Sequence, residues 1–321
     1  MNVRDLEYAL AVERLGSFTR AAEACDVSQP TLSGQIRKLE EALGVSLFER
    51  DGRTVRVTAA GTQLLGCARR VVAAVADLEA TADAQRDPLC GRVRLGMIPT
   101  LAPSLLPLAL PETARRLPRA VVAIVEDQTA GLLTRLRDGS LDMALIATAP
   151  GDGFVELPLF DEPLHVAAPP DHPFARRETV GAEELEPASL MLLSDGHCLR
   201  DQVLAVCSAP ELAANAPADV RAGSLETLLH LVAAGYGVTL VPALALSASV
   251  ERSIAIRSLS GPGASRRIRL VARRSVPRRA MLEQIAEAIR ASVPTDRVTM
   301  LPSPLIASGM PGHVVEELGP S

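Results

Sequence analysis

Lysine is all but missing from this 321-residue chain: Lys38 stands alone, and arginine carries nearly all the positive charge. The formal net charge is -5, so no basic overall field draws the molecule to nucleic acid. Any such function has to rest on local features. Together with the abundant alanine, the arginine bias looks like the coding habit of a GC-rich genome. No run of about 18 apolar residues is present, which argues against a membrane-spanning helix and a membrane partner. No charged start followed by an unbroken apolar stretch marks a signal peptide, so a cytoplasmic protein is expected. Cysteine is sparse and odd in number: Cys25, Cys67, Cys90, Cys198 and Cys207. An odd count argues against a fully paired secreted framework, and cytoplasmic thiols stay reduced. What is present is ordinary globular composition, 48% hydrophobic and 22% charged, with length for one large domain or two to three modest ones.

The N-terminal pattern is helical and well punctuated. A first helix through Leu6, Leu10 and Val12 stops near Gly16. Ser17 can cap a second, Phe18 to Cys25, and Ser28 a third. In the third, Leu32, Ile36, Leu39 and Leu43 recur every three to four residues, and Gly44 suits its end. Leu47-Phe48 and Val55 to Val57 flank Asp51-Gly52, a tight-turn pair, so a short hairpin or wing is predicted. Thr58 opens a stretch without proline until Pro88. In it Leu64, Ala68, Val71, Val75 and Leu78 are spaced like a coiled-coil seam. A helix of about 27 residues spans roughly 40 Å, too long for a small domain to cover, so we read it as a dimerisation helix. An ordinary amphipathic core helix is the plainer alternative.

Beyond Pro88 to Gly91 the period changes. Arg92 to Met97 alternates like a strand, and Val121 to Val125 and Met143 to Ala147 are short apolar runs preceded by helical segments. A similar series recurs from Leu190 to Ala272. Strands alternating with helices imply a parallel sheet covered by helices, here as two α/β lobes over residues 91–293 with crossing segments near Leu164 and Ile268. The domain order is thus 1–58, a helix at 59–90, the lobes at 91–293, and a Pro-, Gly- and Ser-rich tail at 294–321 expected to be disordered.

Two helices joined by a short turn suit DNA reading. The second offers Ser28, Gln29, Pro30, Thr31, Ser33 and Gln35, short donors and acceptors for base edges and phosphates. Arg37 and Lys38 add phosphate charge, and Arg50 and Arg53 place more on the wing, beside Arg56. A helical packing module with a polar face would share much of this pattern. Phe18 to Ala22, Val27 to Ser33, Leu39-Glu40, Leu43-Gly44, Leu47 to Arg50 and Thr58 to Gly61 together resemble the LysR-type regulators. The resemblance implies a winged helix-turn-helix, a dimerising linker helix and a two-lobed, periplasmic-binding-protein-like sensor domain. A double-stranded DNA operator and a homo-oligomer, dimer or tetramer, are its implied partners.

In Ser194 to Gln202, Cys198 stands beside His197 at a plausible helix start. A helix N-terminus and cations such as His197 and Arg200 would favour thiolate, the form that peroxide oxidises. Cys207 follows nine residues on among apolar neighbours. If 198–207 is helical, the two Cα atoms lie about 13 Å apart, whereas a disulfide needs roughly 4.4 to 6.8 Å. A bond between them would require that helix to unwind. Both being small core residues is the plainer alternative. This segment, with Ile98 to Thr100, Leu159 to Pro163 and Ser224 to Thr227, resembles the peroxide-sensing LysR-type activators, the OxyR family. By that resemblance Cys198 is the peroxidatic cysteine and Cys207 the resolving one, and Thr100, Thr129, His197 and Arg266 line the peroxide pocket. Hydrogen peroxide, RNA polymerase and a thioredoxin- or glutaredoxin-type reductant are its implied partners, with no metal, no cofactor and no enzymatic turnover. A metabolite-responsive LysR-type regulator, a thiol peroxidase and a plain structural DNA-binding protein are the rival readings.

Overall fold

The computed structural model describes residues 1–51, 54–185, 190–206, 222–276 and 278–302. The N-terminal unit consists of helices α1 (Val3–Leu15), α2 (Phe18–Ala24) and α3 (Gln29–Leu43), followed by the antiparallel wing β1 (Phe48–Asp51) and β2 (Thr54–Val57). The capping residues act where the sequence places them. Ser17 accepts from the Arg20 amide and Ser28 from the Thr31 amide, while Gly16 and Gly44 close their helices in the left-handed region. Asn2 and Asp5 form a reciprocal capping box on α1. Leu32, Ile36 and Leu39 are at most 2% exposed, and burying each contributes about 1.5–3 kcal/mol. Glu40 Oε1 accepts from the Leu47 and Phe48 amides at 2.7 and 3.2 Å, fastening the wing to α3.

Helix α4 (Ala59–Arg86) is continuous over 28 residues. The expected seam divides along its length. Ala68 is buried in the DNA-binding core with Leu65, and Leu64 packs at that core's edge. Val71 and Leu78 are exposed, and Val75 is half-buried. The first part of the seam is therefore spent within the chain, because α1 lies across it. Only the later part is open to a partner.

The sensor follows as β3 (Gly91–Met97), α5 (Ala102–Arg116), β4 (Ala120–Glu126), α6 (Thr129–Arg137), β5 (Met143–Ile146) and the long β6 (Phe154–Ala168). Then come β7 (Thr179–Gly181), α7 (Cys198–Val206), α8 (Leu225–Ala233), β8 (Thr239–Pro242), α9 (Ala248–Ser253), β9 (Ala255–Ser260), β10 (Ser265–Arg273), α10 (Arg279–Ser292) and β11 (Thr299–Met300). In the first lobe β3 runs parallel to β4 and β5, but β10 is antiparallel to both β5 and β6. The sheet is mixed rather than parallel because β6 carries the chain from the first lobe to the second and β10 brings it back. The far half of β6 pairs with β8 and β9. The lobe does not end at residue 293 either: Val298 is buried, and β11 pairs with β6. The sequence expectation of disorder from 294 is corrected to that extent, and its remainder, 303–321, lies outside the described residues. Among the described residues no helix is long and apolar enough to cross a membrane.

Candidate functional site

Helix α7 sits on the seam between the lobes. Its first residue, Cys198, is buried in the core of the first lobe, whereas Leu199 and Val203 belong to the core of the second. Two side chains tie it to the first lobe. Gln202 Nε2 donates to the Ala147 carbonyl at 3.0 Å, and Gln128 Nε2 donates to the Asp195 carbonyl at 3.2 Å. The turn before it needs Gly196, whose φ is +91°.

Of the residues expected to line a pocket, Thr129 and Arg266 act on the Cys198 sulfur, Arg266 in turn holds Thr100, and His197 precedes Cys198 in the chain. Thr129 is the first residue of α6 and Thr100 lies just beyond β3. His197, Thr100 and Arg266 are buried. Arg266 Nη1 donates to Thr100 Oγ1 at 2.8 Å and Nη2 to the Thr100 carbonyl at 3.2 Å. The Thr129 hydroxyl is buried without a well-formed hydrogen bond of its own, and it lies close enough to Cys198 to favour a thiolate there. Thr100 and His197 also line an interlobe cleft of about 830 Å³, with Gln128, Ser224 and His230.

Burial pushes the Cys198 thiol above its ordinary value. The Arg266 charge, the Thr129 hydroxyl and the Leu199 amide pull the other way, and Asp201 adds to the rise. This corrects one of the two cations that sequence proximity suggests. Arg200 turns its guanidinium to Asp195, with Nε 3.0 Å from Oδ1, and the cation acting on the sulfur is Arg266, from a strand 68 positions later in the chain. Burial thus favours the thiol form, against thiolate-stabilising groups that include Arg266 and Thr129. Cys207 and Arg53 lie outside the described residues.

Sequence reasoning missed Glu162, the wholly buried partner of Arg266, and the tethers Gln128 and Gln202. Glu162 had a detectable signal, since it lies in the Leu159 to Pro163 motif, but its partner is 104 residues away. Of the other cysteines, Cys25 packs against the DNA-binding core, Cys67 is exposed on α4, and Cys90 Sγ donates to the Asp87 carbonyl.

The residues expected to read DNA lie along α3 and at its N-cap, outside the buried stripe of Leu32, Ile36 and Leu39. Ser28, Pro30, Thr31, Arg37 and Lys38 are exposed, and Gln29, Ser33 and Gln35 are half-buried. Ser28 is partly occupied as the helix cap, and its hydroxyl also shares a hydrogen bond with Thr31 at 2.7 Å. Arg37 is paired with Glu41 at 3.1 Å in full solvent, a contact worth little that a phosphate can displace. Arg50 lies on β1, opposite Val55.

A path of contacts joins the two regions. Helix α6 begins at Thr129 and is followed by its C-cap Asp138, whose Oδ2 lies 3.6 Å from Arg69 Nε on α4. Arg69 is also paired with Glu13 of α1. Gly139, next in the chain, lies so close to α4 that a Cβ there would fall 2.2 Å from the Ala73 Cβ.

Comparison with known proteins decides the kinship. Residues 3–62 match the bacterial regulatory helix-turn-helix of the lysR family, and residues 86–294 match the LysR substrate binding domain. The DNA-binding transcriptional dual regulator OxyR of Escherichia coli (strain K12) is 45% identical over 293 residues, covering 91% of this chain and 95% of that protein. The chain belongs to the LysR family, in its OxyR group. The hydrogen peroxide-inducible genes activator of Pectobacterium carotovorum subsp. carotovorum is 44% identical over 292 residues, 90% of this chain and 96% of that one. Among solved structures, a full-length cysteine-to-aspartate OxyR from Pseudomonas aeruginosa superposes with a TM-score of 0.73 at 35% identity, covering 91% of this chain and 99% of that one. A peroxide-bound cysteine-to-serine OxyR from Corynebacterium glutamicum gives 0.62 at 37% identity, with 91% and 92% covered. As an OxyR-group member, the chain is a DNA-binding transcriptional regulator of the oxidative-stress response, with a winged helix-turn-helix and a two-lobed sensor.

Proposed function

We propose that Cys198 is the peroxidatic sulfur of this regulator, Cys207 its resolving partner, and Thr100, Thr129, His197 and Arg266 the groups that hold peroxide. The observation that carries this reading is the placement of Cys198. It is a buried sulfur at the meeting of two helix N-termini, beside the buried Thr129 hydroxyl and under the influence of a buried arginine. Helix N-termini and a cation stabilise negative charge on sulfur once water no longer competes.

The chemistry balances without a cofactor. The Cys198 thiolate attacks one peroxide oxygen, an S–O bond forms, the O–O bond breaks, and hydroxide leaves to become water. The sulfenic acid then condenses with the Cys207 thiol, releasing a second water and leaving a disulfide. If α7 continues its helical rise, the two Cα atoms begin too far apart to bond, so closure unwinds it and breaks the Gln202 tether to the first lobe. Strain then passes along α6 to Arg69 and α1, re-spacing the DNA-binding units of a homodimer or homotetramer on its operator and altering contact with RNA polymerase. A thioredoxin- or glutaredoxin-type dithiol resets the switch. On this reading Ser28, Gln29, Pro30, Thr31, Ser33, Gln35, Arg37 and Lys38, with Arg50 and Arg53, face DNA, and Val71, Val75 and Leu78 face a partner helix. Each sensing event is one turnover, not enzymatic consumption.

The interlobe cleft favours a second reading, since its volume far exceeds what peroxide needs and suits a small metabolite. One experiment separates the two. Reduced protein is treated with an equivalent of peroxide, its cysteines are mapped by mass spectrometry, and its footprint is taken on DNA upstream of its own gene. A Cys198–Cys207 linkage with an altered footprint supports the first reading. A Cys207→Ser protein that still changes its footprint reversibly refutes it, and so does the absence of the linkage.

A further inference from the structure

Glu162 and Arg266 face each other across the antiparallel β6–β10 ladder, and neither side chain is exposed at all. Arg266 Nε donates to Glu162 Oε2 at 2.9 Å. The other carboxylate oxygen is not idle, because Oε1 accepts from the Leu244 amide at 2.8 Å in the turn after β8. Glu162 is therefore held from two sides, and it holds the guanidinium in turn. Arg266 Nη2 also lies 2.9 Å from Glu162 Oε2 and donates to the Thr100 carbonyl, while Nη1 donates to the Thr100 hydroxyl.

That arrangement fixes a direction. A guanidinium has five donors and no acceptor, so Thr100 Oγ1 can only accept from it. The threonine's own hydroxyl proton is then left to donate elsewhere, and Thr100 borders the cleft that His197 also lines. Attack by sulfur on peroxide leaves the electron pair of the broken O–O bond on the distal oxygen. A preset donor at that oxygen lowers the barrier by stabilising the developing hydroxide. A threonine free to turn its proton away would do so less well.

We propose that Glu162 is a positioning residue for peroxide reduction: by locking Arg266 it sets Thr100 as a hydrogen-bond donor to the departing oxygen. This rests on the reading of Cys198 as the peroxide-reactive sulfur. Simple stability is a weak account of the pair, since a buried salt bridge is often no more stabilising than apolar groups of its size. Its geometry is instead complete toward Thr100.

The test compares two reagents at the same sulfur in full-length reduced protein, with adducts at Cys198 quantified by mass spectrometry. Peroxide needs a proton donor for its leaving group, whereas iodoacetamide expels iodide and needs none. Glu162→Asp keeps the charge but withdraws the carboxylate by one methylene. It is expected to slow peroxide by about tenfold or more while leaving alkylation within about twofold. Thr100→Val is expected to slow peroxide about a hundredfold, and Thr100→Ser, which keeps the donor, to stay within about threefold of wild type. The Glu162→Asp, Thr100→Val double variant should be no slower than Thr100→Val alone, because both changes act on one hydroxyl. Parallel slowing with both reagents, a wild-type peroxide rate in Glu162→Asp, or effects that multiply in the double variant would overturn the proposal. Should the Glu162 variants not fold, Arg266→Lys serves in their place. It keeps the charge but cannot bridge Glu162 and Thr100 together, and the same selective loss is required of it. A wild-type Cys198 inert to peroxide would instead sink the underlying reading, and the proposal with it.

Discussion

Replacing Gly196 by alanine tests how the redox turn is held. Gly196 has φ +91°, a region an L side chain enters at a cost of roughly 1–2 kcal/mol. Its added Cβ would also fall 2.1 Å from Gln128 Oε1 and 2.6 Å from Gln128 Cδ, so the glutamine has to leave. Its departure breaks the hydrogen bond from Gln128 to the Asp195 carbonyl, worth about 1 kcal/mol. The sum, about 2–3 kcal/mol, lowers the melting temperature by roughly 4–12 °C for a sensor of this size. Scanning calorimetry of the reduced protein reads that shift. A second readout, the peroxide rate at Cys198, should fall because His197 and Cys198 directly follow the displaced turn. In a Gln128→Ala background the clash is gone and only backbone strain remains, about 1–2 kcal/mol. A Gly196→Ala protein melting within about a degree of wild type would refute the strain reasoning. An equal drop in both backgrounds would refute the role given to Gln128.

Three further outcomes follow from the burial of Cys198 and of the α4 seam. Because burial raises the Cys198 thiol above its ordinary value, the thiolate fraction and the peroxide rate should keep climbing with pH beyond about 8.5; a plateau at neutral pH contradicts this. The sign carries over to stability. A proton held more tightly in the fold than in the unfolded chain stabilises the fold below the unfolded value, and that contribution is lost as pH rises through the folded one. Alkaline destabilisation should therefore be weaker in Cys198→Ser. On α4, Leu78→Asp should shift light-scattering mass toward smaller species without unfolding the N-terminal unit, as Leu78 is 70% exposed. Ala68→Asp should unfold that unit, as Ala68 is 6% exposed within its core. Equal behaviour of the two variants would contradict the division of the seam.

Much of this molecule is legible along the chain because its signals are local. Helix caps act over three residues, so Ser17, Ser28, Gly16 and Gly44 could be assigned by eye. The break in period after Pro88 separates the linker from the sensor for the same reason, and the Asp195 to Gln202 segment marks the redox turn. The linker seam was only half legible. Heptad spacing shows that a face is apolar but not what covers it, and for Ala68 the cover is the chain's own α1.

The order of the units, the capped helix-turn-helix and the cysteine–histidine pair at a helix start are all readable from residue order, since each is written in residues a few positions apart. The electrostatics of that cysteine come instead from the folded arrangement. Charge effects depend on distance and solvent, not on sequence separation. Arg200, two residues from Cys198, is spent on Asp195, while Arg266, on a distant strand, acts on the sulfur. Glu162 gains its place through register, set opposite Arg266 by an antiparallel pairing that no local pattern encodes.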